Sequence, residues 1–308
     1  AYTDTTEAPH ASHAWLPRRA AGGRRLCGPA GLASAVFHAF TAGLFSGRPD
    51  RPCQADALGL RAVVDDRLAR AFQVHPANPL PGLPALAIQL RRLGEILSEQ
   101  PEVFGDEGRP AGLFDLLVTA YGLGVPPTAD VDAHDLLSQL LTTLCPVLAG
   151  TPSLGGIALG DCWHHPAVRG PGPSDGWVPF HERLQWMARS VLEPFEWAGV
   201  HTRGLAGLTP LAHAAHGGLL LDAGVLRLRN PALATTAWSL GDEIVVEWRA
   251  LTVALVERAW TQARAAAGTG ATTDFEGVST RLGLELARQL RAGRPALLVG
   301  GTGTEPEA

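Results

Sequence analysis

The sequence predicts a mainly α-helical single domain with one small β-hairpin, and three observations predict it. Apolar residues recur at three- and four-residue spacing through five stretches of the first half. Breaks rich in proline and glycine, such as "HPANPLPGLP" and "PEVFGDEGRPAG", separate those stretches. With 46% hydrophobic and 18% charged residues among 308, the chain carries enough apolar surface for one large core.

Residues 1–24 are polar, with Arg18, Arg19, Arg24 and Arg25 clustered, and are expected to form an irregular arm. The domain is expected to run from 25 to 300, with a disordered tail over 301–308. Its first helix follows from "GPAGLASAVFHAFTAGLFSG", where Pro29 suits a helix start and Gly47 a stop. Residues 55–72, 85–99, 112–122 and 132–149 carry the same periodicity. In 181–193, Leu184, Met187 and Val191 share one face with Phe195, while His181, Gln185 and Arg189 line another. Pro194 is expected to end or kink that helix and to leave Glu193 at the break. Two apolar runs flank Asp222-Ala223-Gly224 in "GGLLLDAGVLRLR", which predicts the hairpin. "DEIVVEWRALTVALVERAW" is apolar around almost its whole circumference and predicts a buried central helix.

Charge and composition exclude several functions. The net charge is −5 and the basic residues, all arginine, are scattered, so no stripe for a nucleic-acid backbone exists. No apolar run reaches the roughly 18 residues of a membrane span, and the N-terminus lacks a signal pattern; a cytoplasmic protein without membrane partner is expected. Cys27, Cys53, Cys145 and Cys162 are far apart without a CxxC pair, so reduced, mostly buried thiols are expected. The oligomeric state is not legible.

Chemistry concentrates in the second half. Seven of eight tryptophans and six of eleven histidines lie between 163 and 260, and "GDCWHHPAV" (160–168) sets Asp161, Cys162, Trp163, His164 and His165 side by side. Asp161 after a glycine-rich approach, His181 at a helix start, Glu193 at the proline break and Glu247 on a buried helix are the catalytic candidates. A helix N-terminus lowers an imidazole's pKa, which favours neutral His181. Each has an ordinary structural reading: Asp161 as a turn cap, His181 as a satisfied core residue, Glu193 as surface, Glu247 with Arg249 as an ion pair. Trp163, His165, Gln185, Asp222 and Arg249 are candidates for holding a substrate. The histidines could instead serve a metal, but there is no HExxH, and adjacent histidines on an extended segment point to opposite sides; neither metal nor cofactor is expected.

"GDCWHHPA", "VPFHERLQW", "SVLEPFEWAG", "GGLLLDAGVL" and "VEWRALTVALVE" occur in the order of segments that mark the uracil-catabolism protein 4 family, and this stretch of the chain, roughly 25–260, resembles it. A fainter likeness is to queuosine-nucleotide N-glycosidases, whose helical fold is akin to DNA glycosylases. Together the resemblances imply cleavage of an N-ribosyl bond, with ribosyl-urea as the small-molecule substrate and urea as a product. The chemistry of such a cleavage suits electrostatic and water-activating roles for Asp161 and Glu247, proton transfer by His181 or Glu193, and substrate positioning by Trp163, Gln185, Asp222 and Arg249. Family members extend further at the N-terminus, so the chain is expected to be shortened. It also departs from the pattern: His164 stands in place of an arginine, and His213, Ala214, Ala215 and His216 replace a Glu-Tyr-Arg-Asn run. Lost arginines imply a lost phosphate contact. Two alternatives stay open, a catalytically inactive relative that binds or assembles, and a metal-dependent ureido amidohydrolase.

Overall fold

In a computed structural model, residues 13–15, 26–120, 129–148, 152–267 and 297–299 are described. The N-terminal half is built as the periodicity requires. Helix α1 (Gly28–Thr41) has a proline in its first turn. The 55–72 stretch divides into α2 (Ala57–Arg61) and α3 (Asp65–Ala71). Asp56 caps α2 through a 2.8 Å bond from Gly59 N, and its carboxylate also accepts from Gly47 N. Next come α4 (Leu83–Glu99), α5 (Pro101–Phe104), α6 (Gly112–Ala120) and α7 (Ala133–Leu144), the last capped by Asp132. A 3-10 turn, Cys145–Val147, follows. The second half supplies α8 (Glu182–Trp197), α9 (Ala214–Asp222) and α10 (Glu243–Ala267).

Strands are short and pair only in twos among the described residues. Strand β1 (Ala14–Trp15) runs antiparallel to β2 (Leu26–Cys27), and β3 (Ala129–Asp132) pairs parallel with β8 (Val200–Arg203). The hairpin of β4 (Ser153–Leu154) and β5 (Ile157–Ala158) turns at Gly155 and Gly156, both at positive φ. Strands β6 (Cys162–His164) and β7 (Trp177–Pro179) are antiparallel, and β9 (Ala237–Trp238) pairs parallel with β10 (Leu298–Val299). The fold is therefore mainly α.

The largest core cluster joins Leu68, Phe72, Ile96, Leu97, Leu136 and Leu140 to Leu184, Ala188 and Phe195 of α8. Helix α8 thus ties the two halves together. A smaller cluster of Phe180, Ala212 and Val246, with Trp163 and Val178 packed on it, lies beside the β6–β7 pair.

Four expectations are corrected. Residues 13–15 are not irregular: Ala14–Trp15 form a paired strand, and Trp15 is 3% exposed, stacks on His38 at 4.5 Å, and donates from Nε1 to Ala71 O. The amide of Asn78 bonds both the N–H and the carbonyl of Ala14, which satisfies a backbone that burial would otherwise strand. The remainder of 1–24, like the tail at 301–308, lies outside the described residues. The hairpin at Asp222 is the end of a helix: Ala223 N bonds Leu219 O, Leu226 N bonds Leu220 O, and Gly224 takes φ 69°. A left-handed glycine serves a tight hairpin and a helix stop equally well, so "DAG" alone does not distinguish them. Helix α8 runs through Pro194 to Trp197, so the proline does not end it, at the cost of the one i→i−4 bond its missing N–H cannot make, and Glu193 is helical. Finally, α10 buries one stripe, Val245, Val246, Trp248, Arg249, Thr252 and Val256, and exposes Glu247 and Leu251. No helix among the described residues is long and apolar enough to cross a membrane.

Candidate functional site

The site is organised around Asp161. Gly160 turns the chain at φ 65° immediately before β6, and the Asp161 carbonyl accepts from both Phe180 N (2.9 Å) and His181 N (3.0 Å). That pair of bonds fixes the start of α8 against the start of β6. The Asp161 side chain reaches three elements at once. Its Oδ1 accepts from Arg249 Nη1 at 2.8 Å and Trp163 Nε1 at 2.7 Å. Its Oδ2 accepts from Arg249 Nη2 at 2.6 Å and Glu182 N at 3.2 Å. The Phe180 ring covers the guanidinium at 4.1 Å, and Nη2 also contacts Glu182 Oε2 at 3.3 Å. Burial pushes the Asp161 carboxyl upward, yet the Arg249 fork, Trp163 and the Glu182 amide together hold it below the usual carboxylate range.

His181 stands beside this pair, at the N-cap of α8. Its φ of 47° is left-handed, a conformation that costs a non-glycine residue about 1 kcal/mol, and its side chain caps nothing. Nδ1 is buried and has no hydrogen-bond partner among the described residues. Burial lowers the imidazole pKa against the opposing pull of Asp161, so the ring is neutral at neutral pH. The direction matches the sequence expectation, but its cause is desolvation. Cys145 and Cys162 flank the site. Burial, then Asp161, raises the Cys145 thiol, and burial, then Asp161 and Cys145, raises Cys162 to about 11. Neither is a thiolate nucleophile at neutral pH. Cys27 and Cys53, expected among mostly buried thiols, are exposed.

These features lie in the segments that carry the family resemblance. The chain matches, over residues 10–304, the family described as "Protein of unknown function (DUF1688)". It belongs to that family. Two curated relatives agree. "Protein urg3" of Schizosaccharomyces pombe is 36% identical over 230 residues, which is 74% of this chain and 53% of that protein. "Uracil catabolism protein 4" of Lachancea kluyveri is 33% identical over 252 residues, 74% of this chain and 56% of that one. This DUF1688 protein thus spans about half the length of the curated relatives it matches.

Within the DUF1688 protein, Asp161, His181, Trp163 and Arg249 come together, and Gln185 lies one turn along α8 from His181. Gln185 is buried and donates from Nε2 to Phe180 O and Thr209 Oγ1. Other candidates stand apart. Glu193 is exposed and lies twelve residues beyond His181, about 18 Å along the helix axis. Glu247 is exposed because it sits two residues from Arg249, roughly 200° around α10. The ordinary structural reading, a Glu247–Arg249 ion pair, gives way to Asp161–Arg249 and Glu182–Arg249. Asp222 is exposed at the end of α9. His165 is buried, with Nδ1 accepting from Ala167 N and Nε2 3.9 Å from Glu243 Oε1. Sequence reasoning missed Glu182, whose position three residues before Gln185 puts it on the same inward face. Among the described residues no three His, Cys, Asp or Glu side chains are grouped to hold a metal ion. The two described surface depressions, around Pro101–Leu116 and around Ile88 with Pro146, are lined by neither Asp161, His181 nor Arg249.

Gly160 gives this geometry a sensitive point. A Cβ there would collide with Cys145 Sγ and stand 3.4 Å from His181 Nδ1, at a φ that disfavours side chains. Gly160→Ala is expected to cost about 2–4 kcal/mol, combining overpacking with left-handed strain, in a denaturant titration. Adding Cys145→Ala should recover part of that loss, leaving about 1–2 kcal/mol from strain. If the double variant is no more stable than Gly160→Ala, the close approach to Cys145 is not its cause.

Proposed function

We propose that this DUF1688 protein acts in uracil catabolism as a hydrolase that cleaves the N-ribosyl bond of ribosyl-urea, giving urea and ribose, or of its 5′-phosphate, giving urea and ribose 5-phosphate. The observation that carries the reading is a half-buried carboxylate kept ionised beside a half-buried, neutral imidazole whose buried Nδ1 has no partner among the described residues. The names of the two curated relatives, one of them a uracil catabolism protein, support the pathway.

The chemistry divides between the two side chains. Breaking the C–N bond places positive charge on the sugar, and Asp161 is a fixed negative charge in a low-dielectric surround. Its oxygens already accept four hydrogen bonds, which fills its acceptor sites, so it stabilises charge through space and does not activate water. His181 takes the proton as water adds to the anomeric carbon, and returns it to the leaving nitrogen as the C–N bond breaks. One water is consumed and no net proton is exchanged. Glu193 and Glu247 have no part in this scheme because of where they stand.

The same four bonds favour a second reading, in which Asp161–Arg249 is a strut in an inactive, ligand-binding relative. Urea release from ribosyl-urea and from its 5′-phosphate separates the two. The hydrolase reading expects release on a plateau at neutral pH, with an acid limb below about 6.5 as His181 takes up a proton. His181→Asn, which tolerates the left-handed backbone, should abolish release without unfolding the chain. Binding of either compound without turnover would favour the second reading.

A further inference from the structure

We propose that Arg249 is a positioning residue, which orients Asp161 through a two-pronged ion pair instead of binding substrate. The inference rests on the reading of Asp161 given above and changes the role the sequence suggested for this arginine. Arg249 is 6% exposed, in the interior of α10, facing away from solvent-exposed Glu247. Both terminal nitrogens are committed to Asp161 in a parallel fork at 2.8 and 2.6 Å. One nitrogen also reaches Glu182 Oε2, and Phe180 closes one face of the guanidinium plane at 4.1 Å. A fork used in this way has one face blocked and its ends occupied, so a phosphate or ribose hydroxyl approaching it would first have to displace the Asp161 carboxylate.

The polar groups described around the pair are Glu182 and His181 at the start of α8, Trp163 and Cys162 on β6, and Cys145 in the 3-10 turn. Of these, His181 is neutral and the two cysteines are protonated at neutral pH, so the positive charge beside Asp161 in this group is Arg249. A lysine at 249 would keep the charge but lose the two-pronged geometry, because an ammonium is a point donor on a flexible stem.

The test has one arm that needs no turnover. Carbon-13 NMR of the aspartate side-chain carboxyls, with Asp161 identified by loss of its signal in Asp161→Asn, follows ionisation in the full chain. In the wild type Asp161 should stay ionised below the usual value of 3.8. In Arg249→Lys it should titrate higher. In the kinetic arm, Arg249→Lys should lower kcat on the order of 10²-fold with KM within about twofold, since a misplaced group loses rate more than binding. Guanidinium ion added to Arg249→Ala should restore part of the rate. Wild-type Asp161 titrating at or above 3.8 would overturn the proposal, as would Arg249→Lys raising KM at constant kcat. Should the Lys variant fail to fold, Arg249→Gln is titrated in its place, and an Asp161 value unchanged from the wild type overturns the proposal. Should the wild type release no urea, the hydrolase reading fails and the titrations still judge the role of Arg249.

Discussion

Asp161→Asn is expected to slow urea release strongly and to lower stability by about 3–5 kcal/mol, the largest effect of any single substitution at the site. Asparagine has the same shape, so packing against Trp163 and Phe180 survives. What disappears is the charge that compensates Arg249, a guanidinium whose side chain is 7% exposed. A buried cation without its partner costs more than the pair gained. Catalytically, losing the fixed anion should reduce kcat by on the order of 10²–10³, as removal of an oriented electrostatic group does. Chemical denaturation and the urea assay read the two effects separately. A variant that is destabilised but fully active would leave Asp161 a strut and remove it from the chemistry. Acid pH should act in the same direction. Because the folded-state pKa of Asp161 is depressed, its stabilisation is present above about 3.8 and is lost as pH falls through the folded value.

Trp15→Ala is expected to cost about 3–5 kcal/mol, comparable to loss of a core aromatic. The indole is 3% exposed, stacks on His38 and joins the main hydrophobic cluster. Its Nε1 bond to Ala71 O links the N-terminal strand to the end of α3, so both contacts fail together. A thermal shift should show the loss directly. If Trp15→Ala unfolds within about 0.5 kcal/mol of the wild type, residues 13–15 are an ornament on the fold and not part of it.

What the sequence disclosed follows the physics of each signal. Long periodic stretches such as Leu83–Glu99 were legible because a 3.6-residue period repeated over four turns has few competing explanations. The glycine of "DAG" had two, a hairpin turn and a helix stop, and the structure takes the second. Asp161 and His181 were legible as candidates because an acid and a histidine stood in tryptophan-rich segments. Their meeting was not, since the bonds from Phe180 N and His181 N to the Asp161 carbonyl span some twenty residues. Glu247 was misplaced because its helix looked apolar on all sides, whereas burial is set by which stripe faces a neighbour. Glu182 escaped notice because an acid in the first turn of a helix is favourable without any function. The buried stretch at 13–15 was hidden by clustered arginines farther along the same segment.

A complex with ribosyl-urea, soaked into crystals of the Asp161→Asn or His181→Asn chain to prevent turnover, tests the site most directly. The account predicts the ribose seated at the junction of β6 and α8, its anomeric carbon facing residue 161 and its ureido nitrogen within hydrogen-bond reach of residue 181. Density for the ligand in the depression around Pro101–Leu116, or anywhere remote from residues 161 and 181, would contradict it.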